Sequence, residues 1–132
     1  MKEHVFRLQK GMDLKKELTK YIHDNDISAA VILCAVGSLL ELHIRLAGAT
    51  SYLQSEEHYE IVSLCGTLCK DGVHLHIAVS KEDGTVIGGH LEEGTIINTT
   101  CEVVLGELEK YQFHRSFDEQ SGYKELVVEE MK

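Results

Sequence analysis

Residues 73–91 read VHLHIAVSKEDGTVIGGHL, and this stretch decides how the rest of the chain is interpreted. Apolar residues alternate with other residues from 73 to 79, which is typical of a strand with one buried face. An Asp-Gly pair at 83–84 then separates this strand from a second one at 85–91. Asp-Gly between two such segments is a strong signal for a β-hairpin, because both residues tolerate positive φ angles. Residues 73–91 are therefore predicted to form a hairpin.

Two histidines, His74 and His76, share one face of the first strand of this hairpin, since side chains alternate along a strand and their Cα atoms lie about 6.6 Å apart. Whether His90 joins them depends on register. A two-residue loop at 83–84 places His90 on the apolar face. A three-residue loop at 82–84, with a left-handed glycine at its end, places His90 opposite His76, and a bulge at 88–89 has the same effect. The sequence leaves these alternatives open.

The segments around the hairpin extend it into a larger sheet. A strand at 59–69 precedes it across an Asp-Gly turn at 71–72, which makes a β-meander. Further strands are predicted in five segments, at 4–9, 28–36, 39–46, 101–115 and 123–129. The strand at 28–36 is apolar throughout and is expected to be covered on both faces, with Gly37 ending it. In the strand at 39–46, Leu40, Leu42, Ile44 and Leu46 are expected to share the buried face.

One helix is predicted at the N-terminal side of this sheet. Leu14, Leu18 and Ile22 recur at a spacing of four residues, and Asp13 precedes them as a helix cap. The fold class is therefore α+β: an antiparallel-rich β-sheet with a meander and one main helix. The length of 132 residues predicts a single domain over 1–132.

The charge balance excludes several classes of partner. The chain has a formal net charge of −9 and lacks any stripe of basic residues. Such a charge disfavours direct contact with DNA or anionic lipid. The N-terminus lacks the apolar stretch of a signal peptide, and no apolar run reaches the length of a membrane span, so a cytoplasmic location is expected.

The four cysteines are expected to be reduced and buried as small hydrophobic residues, because free cysteine is usually buried. They are Cys34, Cys65, Cys69 and Cys101. A less favoured alternative is a Cys–His nucleophile formed by Cys65 or Cys69 with a neighbouring histidine.

The histidines carry the best candidate for a binding site. Three imidazoles on one face can hold a divalent metal, zinc first, with nitrogen–metal distances of about 2.0–2.1 Å. Three protein ligands leave the fourth position open for water or a ligand. Glu92, Glu93 and Glu102 are candidates for orienting or proton-transfer groups. The alternative is that these histidines are ordinary residues of a polar face.

The order and spacing of four segments resemble the PPC (plants and prokaryotes conserved) domain family. The segments are YEIVSLCGTL at 59–68, HLHIAVS at 74–80, DGTVIGGHL at 83–91 and EVVLGEL at 102–108. The resemblance spans roughly residues 4–114. It implies an α+β fold, a homotrimer, and a metal site at His74, His76 and His90. Plant members carry this domain behind a DNA-binding AT-hook, which requires proline, whereas this chain has no proline.

These observations lead to three hypotheses about function. The first, which we favour over an enzyme, is a trimeric module that binds zinc at the three histidines, together with a small ligand or a protein partner. The second is a DNA-associated regulator, in line with the DNA-binding role given to relatives of this kind. The third is a metal-dependent hydrolase.

Overall fold

The computed structural model describes residues 1–132. The chain forms eight strands and one helix, in this order: β1 (Lys2–Gln9), α1 (Leu14–Asp24), β2 (Ala30–Arg45), β3 (Tyr52–Cys69), β4 (Gly72–Ser80), β5 (Val86–Leu91), β6 (Ile96–Glu107), β7 (Tyr111–Asp118) and β8 (Tyr123–Glu130).

Six of these strands form one antiparallel sheet in the order β1-β6-β2-β3-β4-β5. Strand β2 also pairs with β5 at one end, where Ile44 lies opposite Leu91 and Arg45 lies opposite His90. The sheet therefore curls until β2, β3, β4 and β5 surround part of the core. The predicted α+β class and the β3-β4-β5 meander are confirmed.

Helix α1 begins where the sequence predicts. The Asp13 carboxylate accepts a hydrogen bond from the Lys16 amide at 3.0 Å, which caps the first turn. Leu14, Leu18 and Ile22 are fully buried and form the face that packs into the core. No helix of the chain combines the length and hydrophobicity that crossing a membrane requires.

Strand β2 differs from its prediction at Gly37, which does not end the strand. A Cβ atom at this position would lie 2.0 Å from the Thr100 carbonyl oxygen of β6. The glycine therefore allows β2 and β6 to approach closely, and the strand continues through it to Arg45. A glycine inside an apolar run marked close backbone contact here, not a strand end.

The faces of β2 also differ from the prediction. Leu33 and Val36 are 47% and 54% exposed, so only one face of this segment is covered within the chain. Farther along, a bulge between Leu39 and Glu41 shifts the alternation. As a result Leu39 is buried while Leu40 is exposed, and the expectation for Leu40 was wrong.

The prediction for the cysteines is correct for two of the four. Cys69 and Cys101 are buried, whereas Cys34 and Cys65 are exposed. Burial raises the pKa of the Cys101 thiol to about 11, so this thiol stays protonated at neutral pH. Cys34 lies in the uncovered segment of β2, and Cys65 lies on β3 opposite His76.

Strands β7 and β8 form a separate two-stranded sheet, the C-terminal hairpin. The run predicted at 101–115 is divided between β6 and β7 by a turn at 108–110. Phe113 anchors the hairpin by packing with Ala29 and Cys69, and its amide donates a hydrogen bond to the Ser28 carbonyl at 3.1 Å. This contact holds the hairpin beside the end of the sheet where β3 and β4 meet.

Candidate metal centre

Strand β4 places His74 and His76 on its outer face. Leu75 and Ile77, which alternate with them, are almost fully buried on the inner face. Burial of the apolar face fixes the orientation of the strand, because a shift of one residue would expose both apolar side chains. The two histidines therefore point outward together, as the alternation predicts.

The loop at 82–84 brings His90 to the same face. The Lys81 amide donates to the Thr85 carbonyl at 2.9 Å, and Gly84 adopts a left-handed φ of +85°. The pairing then runs without interruption from Ser80 opposite Val86 to His76 opposite His90. The structure thus contains the three-residue loop, and neither the two-residue loop nor a bulge at 88–89.

The three imidazoles form a compact group, called here the histidine cluster (His74, His76 and His90). Their ring centroids lie 5.1, 5.3 and 5.8 Å apart. One ring nitrogen from each residue lies within 4.8 Å of the corresponding atoms of the other two. Small side-chain rotations would place each of these nitrogens about 2.0–2.1 Å from one shared zinc ion.

The surroundings keep two of these imidazoles neutral at pH 7. Partial burial, reinforced by the positive charge of Arg45, lowers the pKa of His90 to about 4. Burial also lowers the pKa of His74, with additional contributions from His76 and Arg115. A neutral imidazole offers a lone pair, and this is the form that binds a metal.

A buried nitrogen without a partner supports the fit of a metal. The Nδ1 atom of His90 is buried and has no hydrogen-bond partner. A buried polar atom of this kind is unfavourable unless something else satisfies it. Of the three glutamates that the sequence suggests, Glu92 lies beside this ring, with its carboxylate 3.9 Å from the His90 Nε2 atom.

The other candidates from the sequence lie outside the histidine cluster. The Glu93 carbonyl binds the ring of His43, and Glu102 lies on β6, which does not adjoin β4 or β5.

Cys65 faces the same side as His76, but its sulfur is not part of the group of converging ligand atoms. Cys69 is buried, with its thiol directed at the Gly72 carbonyl. A Cys–His nucleophile involving Cys69 therefore finds no support.

Sequence reasoning missed Arg45 as a neighbour of this site. The alternation at 39–46 correctly places Arg45 on a polar face, but it does not indicate which strand lies opposite that residue. Only the pairing of β2 with β5 brings it opposite His90.

Residues 1–109 match the family model of the Plants and Prokaryotes Conserved (PCC) domain. The chain belongs to this family. The family is the PPC domain family that the sequence resembles, and the match covers the helix, the six-stranded sheet and all three residues of the histidine cluster. The C-terminal hairpin lies beyond the matched residues.

Curated relatives of this PCC-domain chain are larger proteins. The chain is 42% identical over 131 residues to the "Bifunctional protein GlmU" of Synechococcus sp. (strain JA-3-3Ab). The aligned residues make up 99% of this chain and 21% of that protein. The chain thus spans about a fifth of the length of the curated relatives it matches.

Solved structures share the fold over nearly the whole chain. A hypothetical protein from Salmonella cholerae-suis is 36% identical, with a TM-score of 0.94, over 98% of this chain and 94% of that one. A metal-containing protein from Archaeoglobus fulgidus is 29% identical, with a TM-score of 0.74, over 96% and 94%. A candidate DNA-binding protein from Bacteroides thetaiotaomicron is 22% identical, with a TM-score of 0.83, over 95% and 91%.

Proposed function

We propose that this PCC-domain chain, a single domain over residues 1–132, is a binding module that holds one divalent metal, zinc first, at His74, His76 and His90. The observation that carries the proposal is the convergence of three ring nitrogens within 4.8 Å of one another. One of the three residues, His90, also has a buried ring nitrogen without a hydrogen-bond partner. The similar protein from Archaeoglobus fulgidus is metal-containing, which supports the same assignment.

The histidine cluster would supply three nitrogen ligands and leave the remaining coordination position open. That pattern suits a metal that binds a ligand, whereas structural zinc sites are closed by four protein ligands. The Synechococcus relatives, in which the matching segment is about a fifth of a bifunctional protein, support the role of a module joined to other activities.

A DNA-associated role has less support from this chain. The net charge of −9 opposes the phosphate backbone, and binding to DNA depends on neutralising its phosphates with lysine and arginine. The relationship to the candidate DNA-binding protein, at 22% identity, establishes only the shared fold.

We also propose that the module assembles as a homotrimer. Leu33 and Val36 on β2 and Val5 on β1 are large apolar side chains that the chain itself leaves exposed. Covering such residues is a common reason for self-association. Sedimentation of the wild type and of a Val36→Asp variant tests the oligomeric state. A monomeric wild type would contradict the proposed trimer.

Elemental analysis of untagged protein tests the metal assignment. We expect about one zinc per chain in the wild type and none in a His74→Ala/His76→Ala variant. A His23→Ala variant, which removes an exposed imidazole at the end of α1, is the matched control and should keep its zinc. Wild-type protein that holds no metal after dialysis against zinc would contradict the proposal.

A further inference from the structure

A pocket of about 390 Å³ opens directly beside His74 and His90, and three cationic side chains line it. They are Arg45, Arg115 and Lys124. Two carboxylates, Asp71 and Glu125, also border the pocket, so positive groups are in the majority.

This concentration of positive charge is unusual for so acidic a chain. The sequence has a net charge of −9 and only three arginines, and two of the three line this pocket. Arginine presents a planar fork of N–H donors that matches the two oxygens of a carboxylate or phosphate group. The arginine pair therefore points to an anion as the occupant.

Both arginines are held in place by named contacts. Arg45 lies opposite His90 in the β2–β5 pairing, and its guanidinium carbon lies 5.6 Å from the centre of the Tyr123 ring. Arg115 donates one guanidinium hydrogen bond to the Thr67 hydroxyl at 3.0 Å. Arginine has five N–H donors, so one such bond leaves others for a ligand.

The backbone of Arg115 is fixed as well. Its amide donates to the Asp71 carboxylate at 3.1 Å, which ties β7 to the turn between β3 and β4. Asp71 is thereby engaged with the hairpin. Thr67, the side-chain partner of Arg115, lies opposite His74 in the β3–β4 pairing. The hairpin thus delivers a guanidinium to the edge of the histidine cluster.

We propose that this pocket binds a small anion that carries a carboxylate or phosphate group, held by Arg45 and Arg115 beside the histidine cluster. The part of the proposal that concerns the two arginines follows from the pocket and requires no metal. The second part of the proposal, that an oxygen of the anion occupies the open position of the metal, rests on the proposed function.

Calorimetric titration with two probes, inorganic phosphate and acetate, tests the pocket and distinguishes the two groups. Each probe is titrated into metal-free and zinc-loaded protein, with free zinc removed beforehand. We expect at least one probe to bind the metal-free protein and to bind the zinc-loaded protein about tenfold more tightly. The Arg45→Gln and Arg115→Gln variants should each weaken binding by about tenfold or more, since each loses charge-assisted hydrogen bonds.

The third arginine of the chain supplies the matched control. Arg7 is exposed on β1, which β6 and β2 separate from β5, so Arg7→Gln should change the affinity less than about twofold. Arg45→Lys keeps the charge but loses the fork, and its affinity should fall between those of wild type and Arg45→Gln.

The outcomes separate this proposal from the metal assignment. Zinc content and thermal unfolding are measured on every variant, so a variant that has lost its fold is recognised. Binding of an anion that depends on the two arginines, in protein without zinc affinity, would support the pocket and contradict the metal site. Failure of both probes to bind either form, or equal affinities in the Arg45→Gln and Arg7→Gln variants, would overturn the pocket while leaving the zinc result to stand.

Discussion

His4 and the histidine cluster differ in how the chain uses their ring nitrogens. His4 on β1 is nearly buried, and both of its ring nitrogens are engaged, by the Tyr21 hydroxyl at 2.9 Å and the Glu107 carboxylate at 2.8 Å. In the histidine cluster, by contrast, His90 has a buried nitrogen without a partner.

The difference shows which property distinguishes a structural histidine from a candidate ligand. A structural histidine has its hydrogen-bonding groups satisfied by its own chain, and it contributes to stability through them. A ligand histidine keeps a lone pair free, and folding brings several such lone pairs together before any metal arrives. Burial alone does not separate the two cases.

The largest expected effect is on zinc affinity. A His90→Ala variant removes one of three ligands and should lower the affinity for zinc by at least about 100-fold. Loss of a group that only hydrogen-bonds to a metal ligand already costs about 10–100-fold, and loss of the ligand itself should cost more. A His4→Gln variant should bind zinc as the wild type does. Competition with a chromogenic chelator measures both, and equal losses in the two variants would remove the distinction between these histidines.

The second effect concerns stability without metal. His4→Ala leaves the Tyr21 hydroxyl and the Glu107 carboxylate without their partner, so we expect a loss of about 2 kcal/mol in the free energy of unfolding. The metal-free His90→Ala variant should lose less, because it breaks no hydrogen bond of the His90 ring. Urea denaturation in the presence of a chelator compares them. A larger loss in His90→Ala would assign a structural role to the cluster.

The third effect is a dependence of stability on pH. The pKa of His90 is about 4 in the folded chain and about 6.5 when the residue is exposed. Between these values the unfolded chain binds a proton that the folded chain does not, so stability falls as the pH falls from 6.5 towards 4. We expect His90 to account for about 1 to 2 kcal/mol of the loss between pH 6.5 and 5.

Denaturation of the metal-free protein at several pH values measures this contribution. A His90→Asn variant should show a shallower decline over that interval than the wild type. The His23→Asn variant, which removes an exposed imidazole, is the control for the number of histidines. Parallel curves for wild type and His90→Asn would show that His90 does not titrate differently in the two states.

The smallest effect tests the loop that forms the histidine cluster. A Gly84→Ala substitution places a side chain at a φ of +85° and should cost about 1 kcal/mol. Gly11→Ala, at a φ of +88° before α1, imposes the same strain away from the hairpin and serves as its match. Equal stability losses with full zinc binding would show that cross-strand packing holds the register. Loss of zinc in Gly84→Ala alone would show that the loop sets it.

Local patterns in the sequence were sufficient for several features. Alternation along β4 placed His74 and His76 on one face, because a strand turns successive side chains to opposite sides. The spacing of Leu14, Leu18 and Ile22 after Asp13 predicted α1 and its cap for an equally local reason. These interpretations depend only on residues a few positions apart.

Tertiary structure decided the features that depend on distant parts of the chain. The register that brings His90 opposite His76 depends on how β4 and β5 pack, and local rules allowed more than one loop. The burial of Leu39 in place of Leu40 follows from a bulge set by the neighbours of β2. Likewise, Gly37 accommodates a strand that lies more than 60 positions later in the chain.

The composition of the candidate site shows the same division. The sequence by itself determined the imidazoles of β4 and the acidic balance of the chain. It gave no sign that Arg45 and Arg115 meet beside them, because that depends on β2 pairing with β5 and on the C-terminal hairpin docking at Phe113. Contacts between residues distant in sequence arise from packing of the whole fold, and short-range periodicity carries no record of them.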